Sequence, residues 1–176
     1  MAVAPPERRS PWRRLTPFLV IIVFFIGLAI FRLGNPTGGA GDLEPVVTVE
    51  FPAIVEAGSV HTAILEVTNP SASDIKALFV SFSLVGTAGG EDLPTPIVGA
   101  VTGGLSPVVA IEPEPSAVGE GVRFGFGILA AGETRTIEFS LRAPQIVGRA
   151  ANSVVVYDGQ RPERAGGALL ETMVES

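Results

Sequence analysis

Apolar positions along this chain follow two regimes. From Leu15 to Phe31 the run LTPFLVIIVFFIGLAIF is apolar on every face, the pattern of a helix with no wet side. Beyond Gly34 no stretch holds a helical period. Apolar and polar residues alternate instead, as in strands with one buried face. Val47, Val49 and Phe51 alternate with Thr48 and Glu50, and Ala63, Leu65 and Val67 with Thr62 and Glu66. Leu78, Val80, Phe82 and Leu84 share one side of the next run, and Val122, Phe124, Phe126 and Ile128 one side of a later one. Ile137, Phe139 and Leu141 alternate with Thr136, Glu138 and Ser140. A Val-rich run, Ser153 to Tyr157, stops at Asp158-Gly159, and Ala168 to Val174 is a weaker final candidate. Six or seven such strands predict an all-β, two-sheet sandwich.

The first run is expected to be a single transmembrane helix, residues 15–33. Seventeen residues at about 1.5 Å each span about 25 Å, the lower limit for a bilayer, and Leu33 with a snorkelling Arg32 extends the reach. Trp12 stands where an interfacial aromatic belongs. A cleaved signal peptide is the competing reading, since it also opens on a basic region and an apolar core. Its nearest small-x-small pattern, Gly38-Gly39-Ala40, lies beyond Arg32, an unfavourable distance, so a retained anchor is expected. The run contains no His, Asp, Glu or Asn and so can neither ligate a metal nor relay protons.

Charge sharpens this picture. Residues 1–32 hold five arginines against Glu7, whereas from Gly34 onward there are seven basic and seventeen acidic residues. Four arginines before the run and one after it place residues 1–14, a basic tail, in the cytoplasm, and the rest outside, by the positive-inside rule. The expected protein is therefore anchored in the cell membrane by a single pass. Its lipid contact is confined to residues 15–33, residues 34–44 form a Gly-rich linker, and residues 45–176 make an extracytoplasmic sandwich. An acidic domain without basic and aromatic interleaving is a poor match for nucleic acid. The absence of cysteine excludes disulfides, thiolate metal sites and a cysteine nucleophile.

Two turn motifs carry a resemblance. Val67-Thr68-Asn69 closes one strand, and Leu129-Ala-Ala-Gly-Glu-Thr134 opens another that ends near a proline. The chain from about Val46 to Tyr157 resembles bacterial Ig-like adhesion modules of the CARDB and NEW3 type. That resemblance implies an Ig-like or fibronectin-III-like fold and a spacer or protein-interaction role. It departs from those modules in a Gly- and Pro-rich insert, residues 86–121. Two readings of the insert stand open: an extra edge hairpin built from Ile97–Val101 and Val108–Ile111, or a loop that docks on a partner, stiffened by Pro113 and Pro115.

Little in the sequence points to catalysis. His61 is the only histidine and is expected to face outward on its strand. Glu91-Asp92 and Glu112 with Glu114 are acidic, but no Ca²⁺-loop spacing joins them. No G-x-S-x-G nucleophile elbow occurs, and the only tryptophan is Trp12. No catalytic, cofactor-binding or metal residue is assigned, and no cofactor or enzymatic activity is expected. The function expected is protein–protein interaction or scaffolding outside the cytoplasm. An accessory subunit of a larger membrane complex is the alternative, and a cell-surface enzyme or carbohydrate binder the remote one.

Overall fold

The computed structural model describes residues 43–86, 93–99, 106–119 and 122–176. The expected tail, the transmembrane helix at 15–33, nearly all of the linker, and Glu91-Asp92 lie outside the described residues. Among the described residues no helix is long and apolar enough to cross a membrane.

Among the described residues ten strands form two sheets. They are β1 (Val46–Glu50), β2 (Ile54–Glu56), β3 (Val60–Thr68), β4 (Leu78–Ser83), β5 (Val108–Glu112), β6 (Ala117–Gly119), β7 (Arg123–Gly125), β8 (Thr134–Arg142), β9 (Gly148–Asp158) and β10 (Arg161–Glu175). The four-stranded sheet runs β1-β3-β8-β5 and the six-stranded sheet β2-β10-β9-β4-β7-β6. All pairings are antiparallel except β2 on β10. Between β1 and β2 the chain changes sheets. There the Thr172 hydroxyl donates to the Pro52 carbonyl at 2.8 Å and the Met173 amide to that of Ala53 at 2.9 Å.

The alternation seen in the sequence is what buries the core. Ala63, Leu65 and Val67 of β3 and Ile137, Phe139 and Leu141 of β8 are fully buried, facing Leu78, Val80 and Phe82 of β4 and Val154 and Val156 of β9. Phe139 joins the sheets: its ring centroid lies 5.1 Å from that of Phe82, 5.5 Å from Phe124 and 6.3 Å from Phe126. These edge-on and tilted contacts add to the burial of four large rings.

Several expectations are corrected. Leu84 follows the end of β4 and is exposed rather than buried. Ile128 is also exposed, because Gly127 adopts φ +72° and breaks the alternation, so Leu129 takes the buried place. The last strand is fifteen residues long, from Arg161 rather than Ala168. A bulge between Arg161 and Ala165 absorbs Pro162, which would otherwise interrupt the ladder with β9.

Among the described residues the insert's two apolar runs do not pair with each other, so they form no hairpin. Ile97 and Val98 are buried in the core, Thr95 bridges Ala150 beside β9, and Val108–Glu112 joins β8 as an outer strand of the other sheet. Asn152 pins the first of these runs. Its side-chain oxygen accepts from the amides of Ile97 and Val98, both at 2.8 Å, and its NH₂ donates to the carbonyls of Val98 and Ser83. Asn152 occupies an inward position of β9 between Ala150 and Val154, and a buried amide there is tolerable only because all its hydrogen-bonding capacity is used.

Candidate functional site

The two turn motifs prove to be one structure. Asn69 is fully buried where β3 ends. Its NH₂ donates to the carbonyls of Ser73, Leu129 and Ala130 at 2.9–3.2 Å, and its side-chain oxygen accepts from the amide and hydroxyl of Ser71. Its own amide donates to the Glu133 carbonyl, and Gly132, at φ +71°, donates back to the Asn69 carbonyl. Asp74 and Glu133 fasten the rim by accepting from the amides of Ala131 and Ala130. Asp74 is held below the ordinary carboxylate range by its hydrogen bond to Lys76, then by the Ala131 amide. Glu133 is lowered by the Ala130 amide and then by Arg135. Nearby, buried Arg164 donates to the Ser71 hydroxyl and the Leu43 carbonyl, tying the segment before β1 to this corner. The hydrogen bonds of this corner run inward, to the backbone and side chains of the fold itself.

His61 is not outward-facing. It has the parity of Ala63 and Leu65, so it lies on the core side at the sandwich margin, half-buried and edge-on to Phe51 at 6.4 Å. It also lies 2.7 Å from the Ser59 hydroxyl, the separation of a nucleophile and its base. The Ser59 hydroxyl also donates to the Glu56 carbonyl, so the pair closes the turn from Glu56 to Ser59. Glu56 and Glu175 share the shallow pocket beside this pair. Among the described residues no group of three or more His, Cys, Asp or Glu could hold a metal ion.

Glu112 lies at the end of β5, directly across from Glu138, and Glu114 is exposed beyond Pro113. The structure does not gather them into a ligand set. Beside them is a feature the sequence reading missed. β5 ends one sheet order and β6 the other, and between these two strands lies an open groove of about 600 Å³. Its walls include Pro107, Val108, Ile111, Val118, Val122 and Phe124. Val109 and Val118 are exposed, Val118 at 67%. The stretch Ala117-Val118-Gly119 is too short to register as a strand by alternation, so nothing local marked it.

The outer face of the six-stranded sheet is different. Phe79 stacks on Tyr157 at 5.7 Å, and the Arg123 guanidinium lies 5.5 Å over the Phe79 ring. Gly125 and Gly159 leave room for that ring, since a Cβ at either would meet it at 3.0 Å or less.

No family model matches the chain, and no curated protein matches it. Among solved structures the chain is similar to the CARDB domain of a Pyrococcus furiosus protein in complex with di-metal ions. The identity is 13%, the TM-score 0.48, and the match covers 78% of this chain and 97% of that one. A solution structure of a CARDB domain from the same organism gives 13% identity and a TM-score of 0.45 over 75% and 96% of the two chains. A human ASH/PapD-like domain gives 13% and 0.41 over 81% and 91%. At such scores the likenesses carry no argument; the sandwich rests on its own two sheets and their shared core.

Proposed function

We propose that this chain is a non-catalytic interaction module, anchored in the cell membrane through residues 15–33 with its sandwich outside the cytoplasm, which binds another polypeptide at the β5–β6 groove. The groove is the observation that supports this reading. Val109 and Val118 are exposed beside an apolar cleft, which offers a partner apolar surface to bury. A reporter fused after Ser176 is expected to be active only outside the cytoplasm; activity confined to the cytoplasm would overturn the orientation.

The binding role is tested by isolating the full-length chain from its own membrane in mild detergent and comparing it with Val118→Glu. The substituted side chain is already exposed, so folding is expected to survive. Loss of a co-isolated protein in the variant supports the groove, and equal recovery sinks it. A stable stoichiometric assembly that resists the substitution would favour the accessory-subunit alternative, with packing through other surfaces.

A further inference from the structure

We infer that the β5–β6 groove takes an extended polypeptide segment in which apolar residues alternate with basic ones, an inference that rests on the groove being the binding site. The geometry of β5 sets both requirements. Val108 pairs with Leu141 and Ile111 with Phe139, both inward partners, while Ala110 and Glu112 pair with Ser140 and Glu138 on the outer face. The register shift between Val108 and Ala110 leaves Val109 as the extra residue, so Val108 and Ile111 both turn towards the groove although three positions apart. A segment lying along β5, at the ~4.8 Å spacing of neighbouring strands, turns alternate side chains into the cleft against Ile111, Val118 and Phe124. Apolar residues suit these positions, because the side chains lining the groove are mostly apolar.

The other side chains of such a segment fall on the outer face of the four-stranded sheet, where one row is acidic and Arg142, four residues along β8 from Glu138, donates to the Gly58 carbonyl. Glu50 pairs with Ile64, Ile64 with Glu138, and Glu138 with Glu112, making one row across all four strands. All three glutamates are exposed, and among the described residues none is in an ion pair. Like charges directly opposite on a sheet face repel. The next position in that row belongs to the occupant, about 5 Å from Glu112. A lysine or arginine there neutralises the row, whereas an acidic residue lengthens it. The bulge and Pro113 keep the usable stretch of β5 short, so side chains in the cleft, rather than a long ladder, supply most of the affinity.

The test titrates the full-length chain in detergent micelles, with empty micelles as the blank, using three labelled synthetic peptides of about the usual strand length. One alternates valine with lysine, one valine with glutamate, and one serine with lysine. The valine–lysine peptide is expected to bind at least about tenfold more tightly than either other peptide. Its affinity should fall about tenfold in a Glu112→Gln, Glu138→Gln double variant, and be lost in Val118→Glu. Equal binding of the valine–glutamate peptide overturns the charge requirement. Equal binding of the serine–lysine peptide, or indifference to Val118→Glu, overturns the groove as its seat. If no peptide binds while Val118→Glu still abolishes co-isolation from the membrane, the binding role survives and the basic occupant falls. Self-association lost in Val118→Glu would show that the occupant is a second copy, and would likewise overturn it.

Discussion

The Asn69 corner and the β5–β6 groove are built from the same kind of chain, short strands and turns rich in Gly and Pro, yet they end in opposite states. At the corner, carbonyls from two turns about sixty residues apart converge on one buried amide, and Arg164 adds a third segment. At the groove two outermost strands approach without joining, and apolar side chains stay open to water. The corner closes the sandwich by satisfying its backbone. The groove leaves it open because no strand occupies the gap between β5 and β6 among the described residues. What an open sheet margin lacks is a backbone partner and a lid for its apolar wall, and both are what another polypeptide supplies.

Breaking the corner should be far more damaging than altering the groove margin. Asn69→Ala strips partners from the carbonyls of Ser73, Leu129 and Ala130 in a buried place and is expected to cost about 3 kcal/mol. Urea unfolding would measure it, with an unchanged slope showing that only stability moved. A loss below about 1 kcal/mol would mean that water replaces the amide and that the corner is not the clasp described above.

At the groove margin the sign should reverse. Glu138→Lys places a cation between Glu112 and the exposed Glu50 side of the row, and is expected to stabilise the fold by about 0.5 kcal/mol while weakening the valine–lysine peptide. A variant both less stable and unaltered in binding would contradict the electrostatic reading of this face. The opposed pair that costs stability in the free chain is the one that selects a basic occupant.

The smallest expected effect is a pH dependence that belongs to the corner. Asp74 and Glu133 have folded-state pKa values below their ordinary ones. Their contribution is therefore present above the ordinary carboxylate range and lost as pH falls through the lowered values. Both groups are solvent-exposed, so the slope should be shallow. Asp74→Asn with Glu133→Gln should flatten the acid limb of a stability-against-pH curve, and an unaltered limb would assign acid sensitivity to other carboxylates.

How much of this was legible beforehand differs between the same two regions. The corner was half visible. Val67-Thr68-Asn69 and Leu129–Thr134 stood out as turn chemistry, because a buried Asn and a positive-φ glycine leave few alternatives. That they form one corner was not visible, since the hydrogen bonds joining them cross about sixty residues. The groove was almost invisible. Val108–Ile111 is visible as an apolar run, but its pairing with β8 and its place opposite Val118 are long-range. His61 has the parity of Ala63 and Leu65, yet its polarity suggests an outward face; a polar side chain at a strand's margin can share the core face while still reaching solvent.

By itself the sequence determined the all-β class, the inward faces of β1, β3, β4 and β8, and the basic-then-acidic division of the chain. Each of these is a local property: a period of two, a breaker, a sum of charges. Only the tertiary structure decided the sheet order, the sheet change between β1 and β2, the placement of the insert and the open margin between β5 and β6. Those depend on which strands meet, and strands distant along the chain meet through long-range burial and hydrogen bonding that no local pattern records.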